Sequence, residues 1–299
     1  MPVENAPAAL SIAIIGVGQI GSAFAYQLAS AGHDVTVIAR PDSRRLQQLE
    51  KEGAIVLQNG QRAAVRVDAA LDNEIVYDLV IVTTKAFQIA PLLPMLKQSS
   101  GKNFHFLFAN FSPEKIRDAL PEHSCAFGMP FLQAWLDRDG RLRTRISSGQ
   151  KTLHSDIRWV KLFQDAGLPS AYEPDMMGWL RWHAPMTVAI EGVCVAGQRR
   201  GRGARWREAR TMARGMRAGF AIIRGLGFEM HKSAKTFSGL PVMMVTLMLW
   251  AMSRMKSFRE LLASGENEAR AEAAELIAAA ENKPNLASAA EAVALMLPS

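Results

Sequence analysis

The amino-acid sequence predicts an α/β protein in which an N-terminal domain built on a parallel sheet is followed by an all-α C-terminal domain. Strand-like and helix-like segments alternate through the first half, which is typical of a parallel sheet with crossover helices. From Asp175 onward the apolar residues follow helical periodicity. Because the composition changes across residues 168–174, we assign residues 1–170 to the first domain and residues 171–299 to the second.

The first half can be assigned segment by segment from its apolar periodicity and its turn residues. Strands are expected at Leu10–Ile15, Asp34–Ala39, Asp78–Thr83, Phe104–Phe108 and Cys125–Phe127, and helices at Gln19–Ala31, Ser43–Lys51, about Phe87 to Lys97, and from Pro113 with Ser112 as its N-cap. Asn59-Gly60 predicts a hairpin turn between Ala54–Gln58 and Arg62–Val67. Residues 131–153 carry turn signals between short β-like runs.

The second half is assigned to helices alone. They are expected at residues 175–198, 204–226, 232–262, 266–281 and 286–296, with breaks at Gly225-Leu-Gly227 and Lys283-Pro284. The longest apolar run, Leu240 to Met252, is shorter than the about 20 residues that span a bilayer. It is therefore interpreted as a buried helix that builds the core or lines a pocket.

Composition excludes several classes of protein. The 299 residues are 49% hydrophobic and 21% charged, which is typical of a globular chain. No signal peptide is recognised at the N-terminus, Met1 to Pro7, and Cys125 and Cys194 are the only cysteines. We therefore expect a cytoplasmic protein with no disulfide framework, no zinc site and no membrane partner.

The segment with the most information about function is residues 11–21, where an apolar strand leads directly into G-x-G-x-x-G and then a helix. This context predicts a Rossmann-type dinucleotide-binding turn: Gly16 allows the tight turn, Gly18 lets a pyrophosphate approach the backbone, and Gly21 lets the helix pack on the sheet. The helix N-terminus would face the phosphates. The predicted cofactor-binding residues are Gly16, Val17, Gly18, Gln19, Ile20 and Gly21. The alternative is a purely structural strand–helix turn.

The end of the second strand indicates which dinucleotide is bound. An NAD site carries an acidic residue there, which accepts hydrogen bonds from the ribose 2′-OH. Arg40 occupies that place, and a guanidinium can pair with a 2′-phosphate. We therefore predict NADP(H). In the alternative, Arg40 is an ordinary exposed residue and Asp42 plays the acid.

The net charge of +7 favours anionic ligands, and eight arginines lie between positions 199 and 217. Arg207, Arg210, Arg214 and Arg217 follow helical spacing and form one stripe. A solvated helix face or subunit contact, a site for an anionic substrate or cofactor phosphate, and nucleic-acid binding all remain open. We expect no nucleic-acid partner, because no recognised nucleic-acid motif accompanies the charge.

Two further motifs support a family assignment. Val82-Thr-Thr-Lys85-Ala-Phe-Gln88 is similar to a strand-end Lys-Ala-Tyr/Trp-Gln, and Phe108-Ala-Asn110-Phe stands where Gln-Asn-Gly is expected. Together with the glycine turn and Arg40, they make the chain resemble the ketopantoate reductase (2-dehydropantoate 2-reductase) family, and the domain order fits over nearly the whole chain. Lys85 and Asn110 are thereby expected at the cofactor, with Asn110 also at the substrate. Routine surface or capping roles are the alternative for both residues.

The resemblance implies an oxidoreductase of pantothenate biosynthesis that reduces a small anionic 2-keto acid to a 2-hydroxy acid with NADPH. It also leads us to expect a homodimer. In the family, a Trp-x-Lys lysine supplies the proton, and two asparagines follow on the same helix face. This chain departs from that pattern, because Trp179-Leu-Arg181 carries arginine and the asparagine positions hold Pro185 and Ala189. Arginine is a poor proton donor, although it can polarise a carbonyl or clamp a carboxylate.

A replacement proton donor is sought on the same helix. His183, Thr187 and Glu191 recur every four residues and would form a polar row, unless Pro185 kinks the helix or marks its start. We predict Arg181 and His183 as catalytic residues, with a packed or surface histidine as the alternative.

The family's late carboxylate is assigned to Glu268 as a substrate-binding group, within Ser264-Gly-Glu-Asn-Glu268. Glu266 and Glu268 could equally be acids that stabilise a helix N-terminus. Two other functions stay open: a non-catalytic NADP(H)-binding sensor or scaffold, and another hydroxyacid- or opine-type dehydrogenase.

Overall fold

A computed structural model describes residues 9–262 and 266–297. The N-terminal segment in which no signal peptide is recognised, and the Ser264-Gly265 part of the late motif, lie outside these residues. The chain divides into two compact units. The first contains the described residues up to Phe108 together with Glu114–Met176, and the second contains Ala109–Pro113 together with the described residues from Met177 onward.

The first unit is built on a mixed, mainly parallel sheet. Eight strands of the unit form this main sheet, and two strand pairs, β3–β4 and β9–β10, form small separate sheets. The strands of the unit are β1 Ser11–Ile15, β2 Asp34–Ile38, β3 Ala54–Val56, β4 Arg62–Ala64, β5 Arg66–Asp68, β6 Leu79–Val82, β7 Asn103–Leu107, β8 Ser124–Met129, β9 Gln133–Leu136, β10 Leu142–Arg145, β11 Thr152–His154 and β12 Ser170–Tyr172. The main sheet has the order β12-β11-β8-β7-β6-β1-β2-β5, in which only the β8–β11 pair is antiparallel. The central strands β1, β2, β6 and β7 are almost wholly buried, as expected for a sheet covered on both faces. The predicted α/β class is confirmed.

Five helices accompany this sheet in the described part of the unit. They are α1 Gln19–Ser30, α2 Arg44–Glu52, α3 Leu93–Gln98, α4 Pro113–Ala119, which starts in the segment assigned to the second unit, and α5 Ile157–Asp165. The Ser43 side chain caps α2 by accepting from the Leu46 N–H. Phe24 of α1 meets Phe163 of α5 edge to face, and the core of the unit forms around such contacts.

Two sequence predictions in this unit are corrected. The expected strand Arg62–Val67 is two strands, because β4 pairs antiparallel with β3 whereas β5 pairs parallel with β2 and ends the main sheet. The expected helix from Phe87 to Lys97 begins as two 3-10 turns, Ala86–Gln88 and Ala90–Leu92, and is α-helical only from Leu93. Pro91 lies in the second of these turns and lacks the N–H that an α-helix interior needs, whereas Pro94 lies in the first turn of α3, where proline is tolerated.

A pair of histidines lies inside the sheet. His154 Nδ1 lies 3.3 Å from His105 Nε2, and His154 Nε2 lies 3.1 Å from the Ser170 hydroxyl. Burial lowers the pKa of His154 to about 3 and that of His105 well below its usual range, so both rings are neutral at pH 7.

The second unit is helical throughout its described part. Its helices are α6 Met176–Arg199, α7 Trp206–Gly225, α8 Lys232–Gly239, α9 Val242–Met252, α10 Lys256–Leu262, α11 Glu266–Ala280 and α12 Ala287–Ala294. The core lies where α7 packs against α9 and α12. Pro185 lies within α6 and does not mark its start, and a Cβ at Gly219 would lie 2.7 Å from the Pro185 side chain. The lack of a side chain at Gly219 therefore makes room for the proline ring.

The single helix expected over residues 232–262 is wrong. It is three helices, because Gly239-Leu-Pro241 and Ser253 to Met255 interrupt it, and Pro241 cannot continue the ladder of α8. The apolar run was also expected to be buried, yet only Val245, Thr246 and Leu249 of α9 are. The other face exposes apolar side chains: Met243, Met244, Leu247 and Met248.

Among the described helices, none is by itself long and apolar enough to cross a membrane. The helices α8 and α9 pass that test of length and composition only as a pair, and they are bent by 104° at the break between them.

Candidate functional site: the glycine turn and helix α6

The turn between β1 and α1 has the geometry that its glycines predict. Gly16 has a φ of +93°, and a Cβ there would lie 2.9 Å from the Thr84 methyl group. A Cβ at Gly21 would lie 2.3 Å from the Gly16 carbonyl oxygen and 2.5 Å from the Thr83 hydroxyl. The Thr83 hydroxyl also donates to the Gly16 carbonyl at 2.7 Å. Gly16 and Gly21 are therefore required by the protein's own packing.

Gly18 is different, because no contact within the described part of the chain requires it to be glycine. Its φ is −77°, which any residue can adopt, and no atom lies within 4 Å of the position of its absent Cβ. The residue is exposed, no side chain caps the N-terminus of α1, and the first turn of α1 contains no acidic residue. An open glycine at an uncapped helix N-terminus fits an anionic phosphate group.

Arg45 is a residue of this turn that sequence reasoning missed. From α2, its Nε donates to the Val17 carbonyl at 3.1 Å and its Nη2 to the Ser22 hydroxyl at 2.9 Å. Its Nη1 donates to the Gly140 carbonyl at 2.9 Å. Glycine-motif spacing carries no signal for such a contact, because Arg45 lies more than 20 residues further along the chain.

Arg40 lies just beyond the end of β2, at the edge of the sheet where the glycine turn also lies. Its side chain is exposed and has no ion pair within the described residues. Asp42 is exposed as well, with a φ of +57° in the turn that leads to α2. Both the guanidinium and the alternative carboxylate are therefore accessible to a ligand.

Lys85 and Asn110 each follow the end of a parallel strand. The Lys85 N–H donates to the Gln88 side-chain oxygen at 3.1 Å, and the Gln88 N–H donates to the Lys85 carbonyl at 2.8 Å. Gln88 thus fixes the turn that presents Lys85. Asn110 is buried and its side-chain oxygen accepts from the Ser112 N–H at 3.0 Å. Its segment belongs to the second compact unit, although sequence analysis assigned it to the first domain.

The start of α6 carries two stacked pairs of side chains. The Trp179 and His183 rings are nearly parallel, with centroids 4.2 Å apart. The Arg181 guanidinium carbon lies 3.8 Å from the centroid of the Phe228 ring, and Arg181 is 8% exposed. Such cation–π contacts stabilise a desolvated guanidinium. Arg181 is thus a largely buried cation held by an aromatic face.

The protonation state of His183 bears on its predicted role. Burial lowers the pKa of His183 to about 4, so the ring is neutral at pH 7. A neutral imidazole is a much weaker acid than imidazolium. In the same row, the Thr187 hydroxyl donates to the His183 carbonyl at 3.4 Å, which ties it to its own helix.

Glu191, the last residue of that row, faces other carboxyl groups. Glu272 of α11 is 2% exposed, and neither of its oxygens has a hydrogen-bond partner among the described residues. Burial, and then the neighbouring Glu268, Glu191 and Glu275, raise the pKa of Glu272 well above its usual range. Glu272 is therefore a buried, neutral acid that sequence reasoning did not single out.

Glu266 and Glu268 both lie in the first turn of α11. Glu266 pairs with Arg199 at 2.9 Å and with Arg270 at 3.1 Å. In the arginine cluster, Arg200 pairs with Glu208, whereas the stripe of arginines on α7 is exposed. No group of three or more His, Cys, Asp or Glu side chains within residues 9–262 and 266–297 has the geometry to hold a metal ion.

Comparison with known proteins finds a family model that matches part of the chain. Residues 12–154 match the model of the family described as Ketopantoate reductase PanE/ApbA. A 2-dehydropantoate 2-reductase of Vibrio cholerae serotype O1 is 33% identical over 96 residues, which are 30% of this chain and 29% of that protein. The sequence match therefore spans less than a third of this relative's length.

Solved structures share the fold over about 95% of the chain. The probable 2-dehydropantoate 2-reductase panE of Bacillus subtilis aligns with a TM-score of 0.68 at 22% identity, covering 96% of this chain and 100% of that one. A PanE/ApbA family ketopantoate reductase of Ralstonia eutropha JMP134 aligns at 0.71 and 20% identity, covering 95% and 97%. D-mandelate dehydrogenase in complex with NADH aligns at 0.70 and 14% identity, covering 96% and 97%. The resemblance predicted from the glycine turn and the strand-end motifs is confirmed.

Proposed function

We propose that this chain is an NADPH-dependent reductase of a 2-keto acid or a related small carbonyl compound, since residues 12–154 match the ketopantoate reductase family model. The observation that supports this most is the open position at Gly18, beside an uncapped helix N-terminus. Gly16 and Gly21 have packing reasons to be glycine, but the missing side chain of Gly18 is useful only to a ligand. A pyrophosphate is the ligand that such a turn accepts.

The bound dinucleotide supplies a hydride to the carbonyl carbon. The backbone N–H groups at the start of α1 would bind its pyrophosphate, and Arg40 would pair with the 2′-phosphate. Lys85, held in its turn by Gln88, adds a further positive charge at the carboxyl edge of the sheet. Ligands bind at this edge in open parallel sheets.

Residues of α6 would act on the substrate. The Arg181 guanidinium remains charged and would bind the carboxylate of the keto acid or stabilise the developing charge on the carbonyl oxygen. That oxygen must also gain a proton. His183 is one source, although its lowered pKa leaves it neutral at pH 7, and solvent is the other. Asn110 and Glu268 are assigned to substrate binding.

The substrate is proposed to be more apolar than ketopantoate. Pro185 and Ala189 stand at the two positions where the family has asparagines, so this helix offers fewer hydrogen bonds to a hydroxylated substrate. The structural neighbour named D-mandelate dehydrogenase shows that the same fold serves a protein named for an aromatic hydroxy acid.

The second candidate function is an NADP(H)-binding sensor without catalysis. Arginine at position 181 and a neutral His183 favour it, because neither is a good proton donor at pH 7. A sensor would need only the glycine turn and Arg40.

Cofactor binding separates these proposals from a purely structural turn. We expect wild-type protein to bind NADPH more tightly than NADH in a fluorescence titration. Arg40→Ala should weaken NADPH binding by about 10- to 100-fold, since it removes a charge-assisted pair, and should change NADH binding by less than about threefold. Arg138→Ala removes another exposed arginine of the same unit and serves as the control. Equal losses for both cofactors would contradict the assignment of Arg40.

Turnover then separates the enzyme from the sensor. NADPH oxidation is measured with ketopantoate and with aliphatic and aromatic 2-keto acids. The enzyme predicts oxidation that is faster with the more apolar acids. Tight NADPH binding without oxidation across the whole panel favours the sensor.

A further inference from the structure

Arg45 connects three segments of the first unit. Its guanidinium donates to Val17 in the glycine turn, to Ser22 in α1, and to Gly140 in the turn between β9 and β10. A Cβ at Gly140, whose φ is +75°, would lie 2.6 Å from Arg45 Nη1. The β9–β10 turn therefore closes tightly over this side chain.

Within the described residues, no carboxylate pairs with the Arg45 guanidinium. All three of its acceptors are neutral oxygens, two carbonyls and one hydroxyl. Burial alone accounts for the lowered pKa of Arg45, with no acidic neighbour acting against it. Other arginines of the unit pair with acids, such as Arg62 with Glu52 and Arg66 with Asp34. Arginine stays protonated in proteins, so a positive charge persists behind the turn.

Arg45 also restrains the backbone at the point where an anion would bind. The Val17 carbonyl accepts from Arg45, while the Gly18 N–H donates to the Gly16 carbonyl at 2.9 Å. The peptide plane between Val17 and Gly18 is thus held on both sides. The exposed Gly18 and the first N–H groups of α1 follow directly, so their direction depends on this plane.

We propose that Arg45 is a positioning residue for the pyrophosphate of the bound dinucleotide. It acts through the Val17 carbonyl, which it holds in place, and through its unbalanced positive charge, and it does not touch the cofactor itself. This inference rests on the proposed function. It differs from the role of Arg40, because the pyrophosphate is common to NADPH and NADH whereas the 2′-phosphate is not.

The chain offers a matched control on the neighbouring residue. Arg44 Nη2 donates to the Arg138 carbonyl in the same β9–β10 turn but makes no hydrogen bond to the glycine turn within the described residues. Arg44→Met therefore removes one positive charge and one contact to the β9–β10 turn, and leaves Val17 and Ser22 untouched. Arg45→Met removes the contact to the glycine turn as well.

Binding of NADPH and NADH to the full-length variants is measured by fluorescence at several salt concentrations. Arg45→Met should weaken both cofactors by the same factor, about tenfold, and should flatten the salt dependence of the dissociation constant. Arg44→Met should bind both as the wild type does. Arg45→Lys keeps the charge but loses the three-pronged contact, and should weaken binding less than Arg45→Met does while retaining the wild-type salt dependence. If Arg45→Met does not fold, Arg45→Gln gives the same test with a neutral side chain.

The outcomes separate this inference from the proposed function. Wild-type binding of NADPH together with unchanged binding by a folded Arg45→Met or Arg45→Gln overturns the role of Arg45 alone. A loss confined to NADPH also overturns it, because the effect would then lie at the 2′-phosphate. If the wild type binds neither NADPH nor NADH, the proposed function is overturned, and the role of Arg45 with it.

Discussion

The glycine turn of the first unit and helix α6 of the second unit carry the two halves of the proposed chemistry, and they are built differently. In the turn, Gly16 and Gly21 are required by backbone and Thr83–Thr84 contacts, and Gly18 leaves space for a ligand. In α6, the groups at the predicted catalytic positions are defined by side-chain neighbours, since Arg181 stacks on Phe228 and His183 on Trp179.

This difference separates the part of the chain that keeps the family's pattern from the part that departs from it. A phosphate-binding turn depends on the shape of the backbone, so few substitutions are compatible with it. By contrast, α6 is a regular helix with arginine, proline and alanine at the positions where the resemblance expects lysine and two asparagines. The proposed cofactor-binding turn can therefore stay the same while the residues proposed to contact the substrate change.

The largest expected effects on stability and on NADPH binding come from adding a methyl group at Gly21 or at Gly18, which lie in the same turn. Gly21→Ala would place a Cβ 2.3 Å from a backbone oxygen, so it should lower the free energy of unfolding by at least about 3 kcal/mol. Gly18→Ala points into open space and should change stability by less than about 0.5 kcal/mol. The second variant should nevertheless lose NADPH affinity by more than about tenfold, because the methyl group occupies the approach of the pyrophosphate.

Chemical denaturation and a cofactor titration on the same preparations check both statements. Gly32→Ala is not a suitable control because its φ is +92°, whereas Gly149→Ala lies at an exposed turn of the same unit with an ordinary φ. Unchanged NADPH binding by Gly18→Ala would mean that the open space at Gly18 is not the phosphate site.

The sequence was sufficient where a local rule determines the structure. Strand, turn and helix around Gly16–Gly21 follow from glycine spacing, and the helix start at Pro113 follows from the preference of proline for the first turn. It was insufficient where the deciding partner is distant in sequence. Arg45 reaches Val17 across 28 positions, and Phe228 reaches Arg181 across the whole of α7. The break at Pro241 is also a local effect, because proline ends a helix even where the apolar periodicity continues through it.

The second prediction concerns the division of roles on α6. Arg181→Met should lower kcat/KM for the best keto acid by about 100-fold, as expected for the loss of one charged group that stabilises the transition state. His183→Phe keeps an aromatic ring against Trp179 and should lower kcat by less than about threefold at pH 7, because His183 is already neutral there.

Steady-state kinetics of both variants across pH 5 to 8 test this division. A loss of kcat in His183→Phe with little change in Arg181→Met would identify His183 as the proton donor instead. A change of KM alone in Arg181→Met would restrict the arginine to binding the carboxylate.

The buried ionisable groups of the two units should also respond to pH in opposite directions. His105 and His154 are neutral bases in the first unit, so their contribution to stability is lost as the pH falls below about 6.5. Glu272 is a neutral acid in the second unit. Its folded pKa is raised above its unfolded value, so its contribution is present below the unfolded pKa and is lost as the pH rises, because only the unfolded state then releases the proton.

The smallest expected effect follows from that sign. Glu272→Gln keeps the shape of the side chain but does not titrate, so relative to the wild type it should gain about 1 kcal/mol of unfolding free energy between pH 4 and about pH 5.5, where only the unfolded wild type loses the Glu272 proton. Glu281→Gln, an exposed glutamate just beyond α11, should show no such trend. Denaturation curves of the three proteins at both pH values provide the measurement. A difference between Glu272→Gln and the wild type that does not change with pH would mean that Glu272 is ionised in the folded protein.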